Sequence, residues 1–219
     1  MAATPVVAAA LAGIPAGIQR QGLWLGRRQL FVRFAGPAET AQMYTADALA
    51  RELTRGLGRS VFHSVCVTGR DALGNQDFLA AALRQLPPGV EVMVDTDGQR
   101  PEALAALHPF LTLVQVTLEP PVATPALERA METVRVAART PCAHGVTIAG
   151  MDEASDADYL QIVEQTHEAS PAASIVIHPG PSVERGALDK RWTILMEHAS
   201  GRHRDVRLLA RLSGPATIR

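Results

Sequence analysis

The chain has little cysteine and no excess of charge of either sign. It contains 2 cysteines, Cys66 and Cys142, in separate apolar segments that do not form a secreted disulfide pattern. The 21 Lys and Arg residues nearly balance the 22 Asp and Glu residues, which argues against nucleic-acid binding and against an acidic tail. No stretch reaches the roughly 18 uncharged apolar residues of a membrane span. We therefore expect a soluble, cytoplasmic protein without a membrane partner.

The sequence also lacks the short motifs of several enzyme classes. It has no Gly-rich phosphate loop, no nucleophile elbow and no zinc-protease helix. His63 and Cys66 are three residues apart on a predicted strand, so their side chains point to opposite faces and cannot chelate one metal ion. Cys142 and His144 could share a face, but they have no visible third ligand. We predict no metal site.

The length of 219 residues suits one α/β domain. Residues 1–17 are rich in Ala and Pro and have no basic residue before their apolar stretch, which is not the pattern of a secretory signal. We interpret residues 1–17 as a flexible leader. Residues 18–219 are expected to form the single domain.

Predicted strands and helices alternate along this domain. The predicted strands are residues 29–34, 60–67, 90–95, 111–118, 144–149, 174–178 and 206–212. The predicted helices are residues 46–56, 75–86, a short turn at Pro101, 125–138, 156–168 and 189–199. Such alternation predicts about six parallel strands with covering helices, either as a doubly wound sheet or as an incomplete barrel. In both cases the site lies beyond the carboxyl ends of the strands.

A mixed set of charged residues follows the predicted strands. The set is Arg33, Gly69, Arg70, Asp71, Asp95, Asp97, Glu119, Asp152, Glu153 and His178. These residues could bind a small polar ligand through arginine–carboxylate pairs, or shape a metal site with oxygen ligands. Loops at strand ends are also polar simply because water surrounds them.

Residues 18–36 resemble the start of the 7-carboxy-7-deazaguanine synthases, which are radical S-adenosylmethionine (SAM) enzymes of the deazapurine pathway. In that family a stretch like IQGEGLWxGRPxxFVRLAGC leads into the cysteines that bind an iron–sulfur cluster. Here residues 37–40 read PAET, and the first helix follows soon after. Residues 67–73 resemble the family's TGGEPL, residues 94–98 resemble its VETNG, and residues 117–120 stand where a Ser-Pro-Lys is expected.

The resemblance implies the family's incomplete barrel, which agrees with the alternation of strands and helices. It implies that Arg33 meets a ligand carboxylate and that the turn at Gly69 grips the amino acid end of SAM, while Gln21 stands where the family has glutamate. The ligand-binding candidates are Gln21, Arg33, Gly69, Arg70, Asp71, Thr96, Asp97, Glu119 and His178.

The cluster is the point at which the chain departs from this family. A radical SAM cluster needs three closely spaced thiolates, whereas Cys66 and Cys142 are 76 positions apart. Arg70 places a large cation where the family needs a glycine's close backbone approach. We therefore predict no iron–sulfur cluster and weak or lost SAM binding.

These observations leave three hypotheses. The preferred one is a cluster-free relative repurposed as a binding or partner-regulating protein. The second is a non-radical enzyme in which Asp71, Asp97 or Glu119 acts as general acid or base. The third is a protein of the queuosine or deazapurine pathway that binds SAM or a deazapurine without cleaving SAM. The identity of the ligand, the presence of a protein partner and the formation of a homodimer are left open.

Overall fold

The structure, a computed structural model, describes residues 7–180 and 190–212. Its strands are Ala8–Gly13 (β1), Ala16–Ile18 (β2), Arg28–Phe34 (β3), Gln42–Thr45 (β4), Ser64–Gly69 (β5), Val92–Thr96 (β6), Leu113–Leu118 (β7), Ala143–Ala149 (β8), Ser174–His178 (β9) and Val206–Leu208 (β10). Its helices are Ala46–Arg59 (α1), Gln76–Leu83 (α2), Leu104–Leu107 (α3), Thr124–Ala138 (α4), Asp156–Ala169 (α5) and Lys190–Arg202 (α6). Short 3₁₀ turns flank α2 and α3.

The strands form one mostly parallel sheet, which confirms the predicted α/β class. The strand order is β4-β1-β3-β5-β6-β7-β8-β9-β10, with β2 paired to β3. Neighbours from β3 to β10 are parallel. From β3 to β10, each crossover leads to the next parallel strand in the same direction along the sheet, with no reversal. Right-handed crossovers that advance in one direction place all their helices on one face, so the described part of the sheet is singly wound.

The helices cover one face of this sheet, which we call the helix face. Val65 and Val67 of β5 and Val114 of β7 belong to one buried cluster with residues of α1, α2 and α3. The next residues of β7 on the same face, beginning with Val116, belong to a second cluster with α4, α5 and α6. The residues that alternate with these point to the opposite face, which we call the inner face.

Helix α1 shows how local sequence produces these elements. The Thr45 hydroxyl caps its first turn by accepting the Ala48 N–H at 3.2 Å, and Leu49 and Leu53 are fully buried. We predicted that Gly56 and Gly58 stop this helix, and that boundary is wrong, since α1 continues through both glycines to Arg59. A Cβ on Gly56 would lie 2.8 Å from a methyl group of Leu30. This glycine therefore allows close packing of α1 against β3.

The expected leader also differs from the structure. Residues 8–13 and 16–17, placed by the sequence pattern in a flexible leader, lie in β1 and β2, and both strands pair antiparallel with β3. Ala9 and Leu11 alternate with exposed neighbours and are buried beside β3. The alternation was hidden because alanine is neither strongly apolar nor a strong strand former. Strand β1 covers the edge of β3 that has no parallel neighbour.

Smaller differences concern element ends. Strand β10 ends at Leu208 and not at residue 212, although the Leu209 N–H still donates to the Ile177 carbonyl of β9 at 3.0 Å, and β4 was not predicted. The predicted first residue of the last helix, Asp189, lies outside the described residues. Within the described ranges, no helix combines the length and apolarity needed to cross a bilayer.

The packing of β1 predicts that its core residue contributes to stability. Leu11→Ala should lower the free energy of unfolding by about 2–5 kcal/mol, because it removes a fully buried side chain. Met43→Ala on the neighbouring β4 is the control, since Met43 is 66% exposed and its loss should cost less than about 0.5 kcal/mol. Urea unfolding measures both values, and equal midpoints for Leu11→Ala and the wild type would show that the segment is not part of the core.

Candidate functional site

A row of polar side chains crosses the inner face near the carboxyl ends of the strands. Arg33 of β3 is in register with Thr68 of β5, and Asp95 of β6 is in register with Gln115 of β7. Val67 of β5 is in register with Val94 of β6, so the next residues along the two strands, Thr68 and Asp95, lie side by side. Neighbouring strands are about 4.8 Å apart, so the backbones of β3 and β6 are separated by about 10 Å. A small ligand could touch both Arg33 and Asp95.

Residues 19–24, which we call the crossing segment, lie across this inner face. The Gly22 N–H donates to Nε2 of His178 at 2.7 Å, and the Leu23 N–H donates to Oε1 of Gln115 at 2.9 Å. A Cβ on Gly22 would lie within 2.1 Å of the Gln115 amide, and Gly22 has a φ of +81°. Both the close approach and the backbone conformation therefore require glycine here.

The crossing segment is also tied to residues 209–212. The Leu212 N–H donates to the Arg20 carbonyl at 3.1 Å, and Nε of Arg20 donates to the Leu212 carbonyl at 3.0 Å. These two bonds join the chain that precedes β3 to the chain that follows β10.

His178 is the buried anchor of both segments. Its Nδ1 lies 2.6 Å from the Leu209 carbonyl and so carries the proton, while Nε2 accepts the Gly22 N–H. Burial lowers the pKa of His178 to about 4, the bond to Leu209 opposes this shift, and the nearby Arg211 charge adds to it. Both ring nitrogens are used by the protein, so His178 positions the inner face and does not offer a free nitrogen to a ligand.

A cavity of about 390 Å³ opens between the crossing segment and the sheet. Its lining is Pro15, Ile18, Gln19, Arg20, Gln21, Phe31, Arg33, Thr68, Asp95, Arg211 and Leu212. This volume suits a small molecule. The described lining carries three guanidinium groups against one carboxylate, and Nε of Arg211 is buried without a hydrogen-bond partner among the described residues. The cavity therefore favours a ligand with negative charge.

Two of the sequence-derived candidates, Gln21 and Arg33, line this cavity. Arg33 is half-exposed, and its Nη2 donates to Oε1 of Glu39 at 2.8 Å. Gln21 comes from the crossing segment and is partly buried. Arg33 thus presents its guanidinium to the cavity and to a carboxylate of its own chain.

Asp95 is the acidic residue of the cavity and was absent from the ligand-binding candidates. The Thr117 hydroxyl donates to its Oδ1 at 2.6 Å. Desolvation raises the pKa of Asp95, and the hydrogen bonds from Thr117 and Gln115 oppose this shift. A signal was present in the sequence: Asp95 interrupts the buried apolar strand Val92–Thr96. A charged side chain at such a position has to face a polar interior.

The turn after β5 holds three further candidates outside the cavity. Gly69 has a φ of +103°, and a Cβ there would lie 2.4 Å from the Phe34 carbonyl, so this turn needs glycine. Asp71 accepts two bonds from Arg100, at 2.6 and 2.7 Å, and this pairing lowers the pKa of its carboxyl. Arg70 is exposed and is not among the lining residues. Asp71 is therefore poorly suited to act as a general acid or base.

The remaining candidates serve local structure or face water. Thr96 is buried and its hydroxyl accepts the Gly98 N–H at 3.1 Å, while Asp97 accepts the Gln99 N–H at 3.1 Å. Glu119 is exposed. The described lining of the cavity contains none of these three candidates. The sequence showed that these residues follow strand ends. It could not show that the side chains of Thr96 and Asp97 form hydrogen bonds within local turns.

The two cysteines lie in different surroundings. Cys66 is fully buried on the inner face with Met93 and Leu113, and burial together with the Asp95 charge raises the pKa of its thiol. Cys142 lies just before the amino end of β8, with its Sγ 2.7 Å from the Thr140 hydroxyl. Across residues 7–180 and 190–212, no three His, Cys, Asp or Glu side chains are grouped as metal ligands.

No protein-family model matches the chain. Among curated proteins, the chain is similar to a 7-carboxy-7-deazaguanine synthase of Methanothermobacter thermautotrophicus, with 32% identity over 113 residues, or 44% of each chain. The chain thus matches less than half the length of this relative. This partial similarity does not by itself show the family.

The neutral state of His178 predicts a pH dependence of stability. Its folded pKa of about 4 lies below the ordinary value of about 6.5, so the unfolded chain binds the proton more readily. Stability should therefore fall as the pH drops from about 6.5 to 4, by at most about 3 kcal/mol from this residue. The His178→Gln variant should lose this decrease in stability between pH 6.5 and 4. The His198→Gln variant, which replaces an exposed histidine, should keep it. Thermal unfolding at several pH values measures the slopes, and parallel curves for His178→Gln and the wild type would refute the assignment.

Proposed function

We propose that this chain is a cluster-free relative of the 7-carboxy-7-deazaguanine synthases that binds a small anionic ligand in the cavity and performs no radical chemistry. The observation that carries the proposal is the cavity itself, in which Arg33 and Asp95 lie in one row of the inner face. The partial similarity to the archaeal synthase supports a deazapurine as the class of ligand. The role is that of a binding or partner-regulating protein.

We infer that the scaffold is an incomplete barrel. The parallel strands follow one another in sequence order, and their helices cover a single face. The crossing segment and residues 209–212 meet across the gap between β3 and β10. A singly wound sheet with a filled inner face is the arrangement of a barrel interior, whereas a doubly wound sheet carries helices on both faces.

The residues of the chain do not fit an iron–sulfur cluster. Such a cluster needs three thiolates close together, and the buried thiol of Cys66 is held protonated by its surroundings. Cys142 lies near the amino end of β8, away from the carboxyl-end row of Arg33 and Asp95. The connection from β3 to β4, where the family carries its cysteines, contains none between Ala35 and Ala41. The proposed function therefore involves neither a cluster nor a SAM radical.

The chemistry of the cavity selects its ligand. Arg33 suits a carboxylate, since a guanidinium binds carboxylates through two parallel hydrogen bonds. Asp95, about 10 Å away along the row, suits a ring N–H or amino group. Phe31, two residues before Arg33 on β3, lines the cavity and supplies an aromatic wall. A carboxylated deazaguanine, the compound for which the archaeal relative is named, has both a carboxylate and N–H donors on a flat ring.

A second candidate function is non-radical acid–base catalysis, and Asp95 is the observation that favours it. This carboxyl is the acidic group of the described cavity lining, and its pKa is raised by desolvation. A general acid or base works best when its pKa approaches the working pH. Asp71, Asp97 and Glu119 lack such a position.

The first prediction from this proposal concerns cofactors. Protein reconstituted with iron and sulfide under anaerobic conditions should show no band near 400 nm, and calorimetric titration with SAM should show no binding tighter than about 1 mM. The reason is the missing thiolates together with an exposed Arg70 in the turn at Gly69. About four irons per chain, or a dissociation constant of about 10 μM or tighter for SAM, would contradict the cluster-free proposal.

The second prediction concerns the ligand. 7-Carboxy-7-deazaguanine should bind with a dissociation constant of about 1–100 μM, and Arg33→Met should weaken it about 10-fold to 100-fold, because a hydrogen bond to a charged group is worth about 1.5–3 kcal/mol. Arg135→Met is the matched control, since Arg135 pairs with Glu132 on α4 on the helix face. Calorimetry measures all three proteins. Equal weakening by both variants would show that the carboxylate does not meet Arg33.

A further inference from the structure

The turn between β3 and β4 holds one carboxylate in a fixed place. The Glu39 N–H donates to the Gly36 carbonyl at 3.1 Å, and the Gly36 N–H donates to Oε2 of the Glu39 side chain at 2.9 Å. The backbone and the side chain of Glu39 thus close the same short turn. This leaves Oε1 of Glu39 to point in a direction set by the turn.

That second oxygen lies on the arginine of the cavity. Oε1 of Glu39 accepts Nη2 of Arg33 at 2.8 Å, and the two side chains are 43% and 47% exposed. Glu39 is not among the cavity-lining residues, so it approaches the Arg33 guanidinium from outside the cavity. The anchor for a ligand carboxylate is therefore already paired with a carboxylate of the chain.

We propose that Glu39 is a latch on this anchor: its carboxylate occupies the Arg33 guanidinium in the empty protein and is displaced, or loses its bond, when an anionic ligand enters. This inference rests on the proposed function, because it assigns the regulation of the same cavity. The latch sets a threshold that only a ligand with its own carboxylate can overcome. A neutral analogue gains nothing from Arg33 and leaves the latch closed.

The charges explain why this contact opposes ligand binding and does not merely orient Arg33. An ion pair between two half-exposed side chains is weak, so a ligand carboxylate can replace it. Two carboxylates on one guanidinium repel each other at a distance of a few ångströms. Because the side chains are only partly exposed, water reduces this repulsion without removing it. Removal of the Glu39 charge should therefore strengthen the binding of an anionic ligand.

The test compares Glu39→Gln with the wild type against two probes. The substituted amide retains the shape of the side chain but not its charge, so the variant should bind 7-carboxy-7-deazaguanine about threefold to tenfold more tightly. The neutral 7-cyano-7-deazaguanine should bind both proteins equally. Glu132→Gln, which removes the same charge from the exposed Glu132–Arg135 pair of α4, is the matched control and should leave both affinities unchanged. Unchanged or weaker binding of the carboxylate by Glu39→Gln would overturn the latch.

A second measurement does not depend on the ligand. Phenylglyoxal labels accessible arginines, and peptide mass spectrometry gives the labelling rate of Arg33 alone. The rate should rise at least about threefold in Glu39→Gln and stay constant in Glu132→Gln, because Glu39 contacts the Arg33 guanidinium whereas Glu132 pairs with Arg135. Equal rates in all three proteins would overturn the latch. If no variant binds the carboxylate probe, the proposed function is wrong, and the labelling rates still decide whether Glu39 covers Arg33.

Discussion

The inner face depends on one interaction, the hydrogen bond from the Gly22 N–H to the neutral ring of buried His178. It fixes the middle of the crossing segment over β9, and the Leu23 N–H fixes the next residue over Gln115 of β7. A protonated His178 could not accept the Gly22 N–H, so the neutral ring and the position of the segment are linked. The cavity is the space that this segment leaves between itself, Arg33 and Asp95.

The two faces of the sheet have different roles: the helix face stabilises the fold, and the inner face holds the candidate site. The helix face is apolar, and its packing against α1 to α6 supplies the hydrophobic stabilisation. The inner face carries Gln29, Gln115 and Thr147 in buried positions, which cost free energy unless hydrogen bonds compensate. The amide of Gln115 accepts the Leu23 N–H, so part of this polar surface holds the crossing segment. The polar inner face is therefore a structural requirement as well as a candidate site.

Much of the fold could be predicted from the sequence, but only part of the site. Strands such as residues 174–178 are short and rich in branched apolar residues, which is typical of a parallel sheet buried on both faces. The alanine-rich β1 was missed because its stability comes from pairing with β3, a contact that the local sequence does not contain. Asp71 and Asp97 follow strands as expected, yet Arg100 and the Gln99 N–H occupy them. Three-dimensional contacts show that these two carboxylates are occupied, whereas the position of Asp95 inside an apolar strand already sets it apart in the sequence.

The short connection between β3 and β4 shapes the electrostatics of the cavity. Because β4 pairs with β1, and β1 with β3, the chain has only residues 35–41 in which to pass from one strand to the other. A connection of this length closes as a tight turn at Gly36, and the turn brings Glu39 back over β3. A longer loop would carry its side chains farther from Arg33. The shortness of this connection thus places a carboxylate on the arginine that faces the cavity.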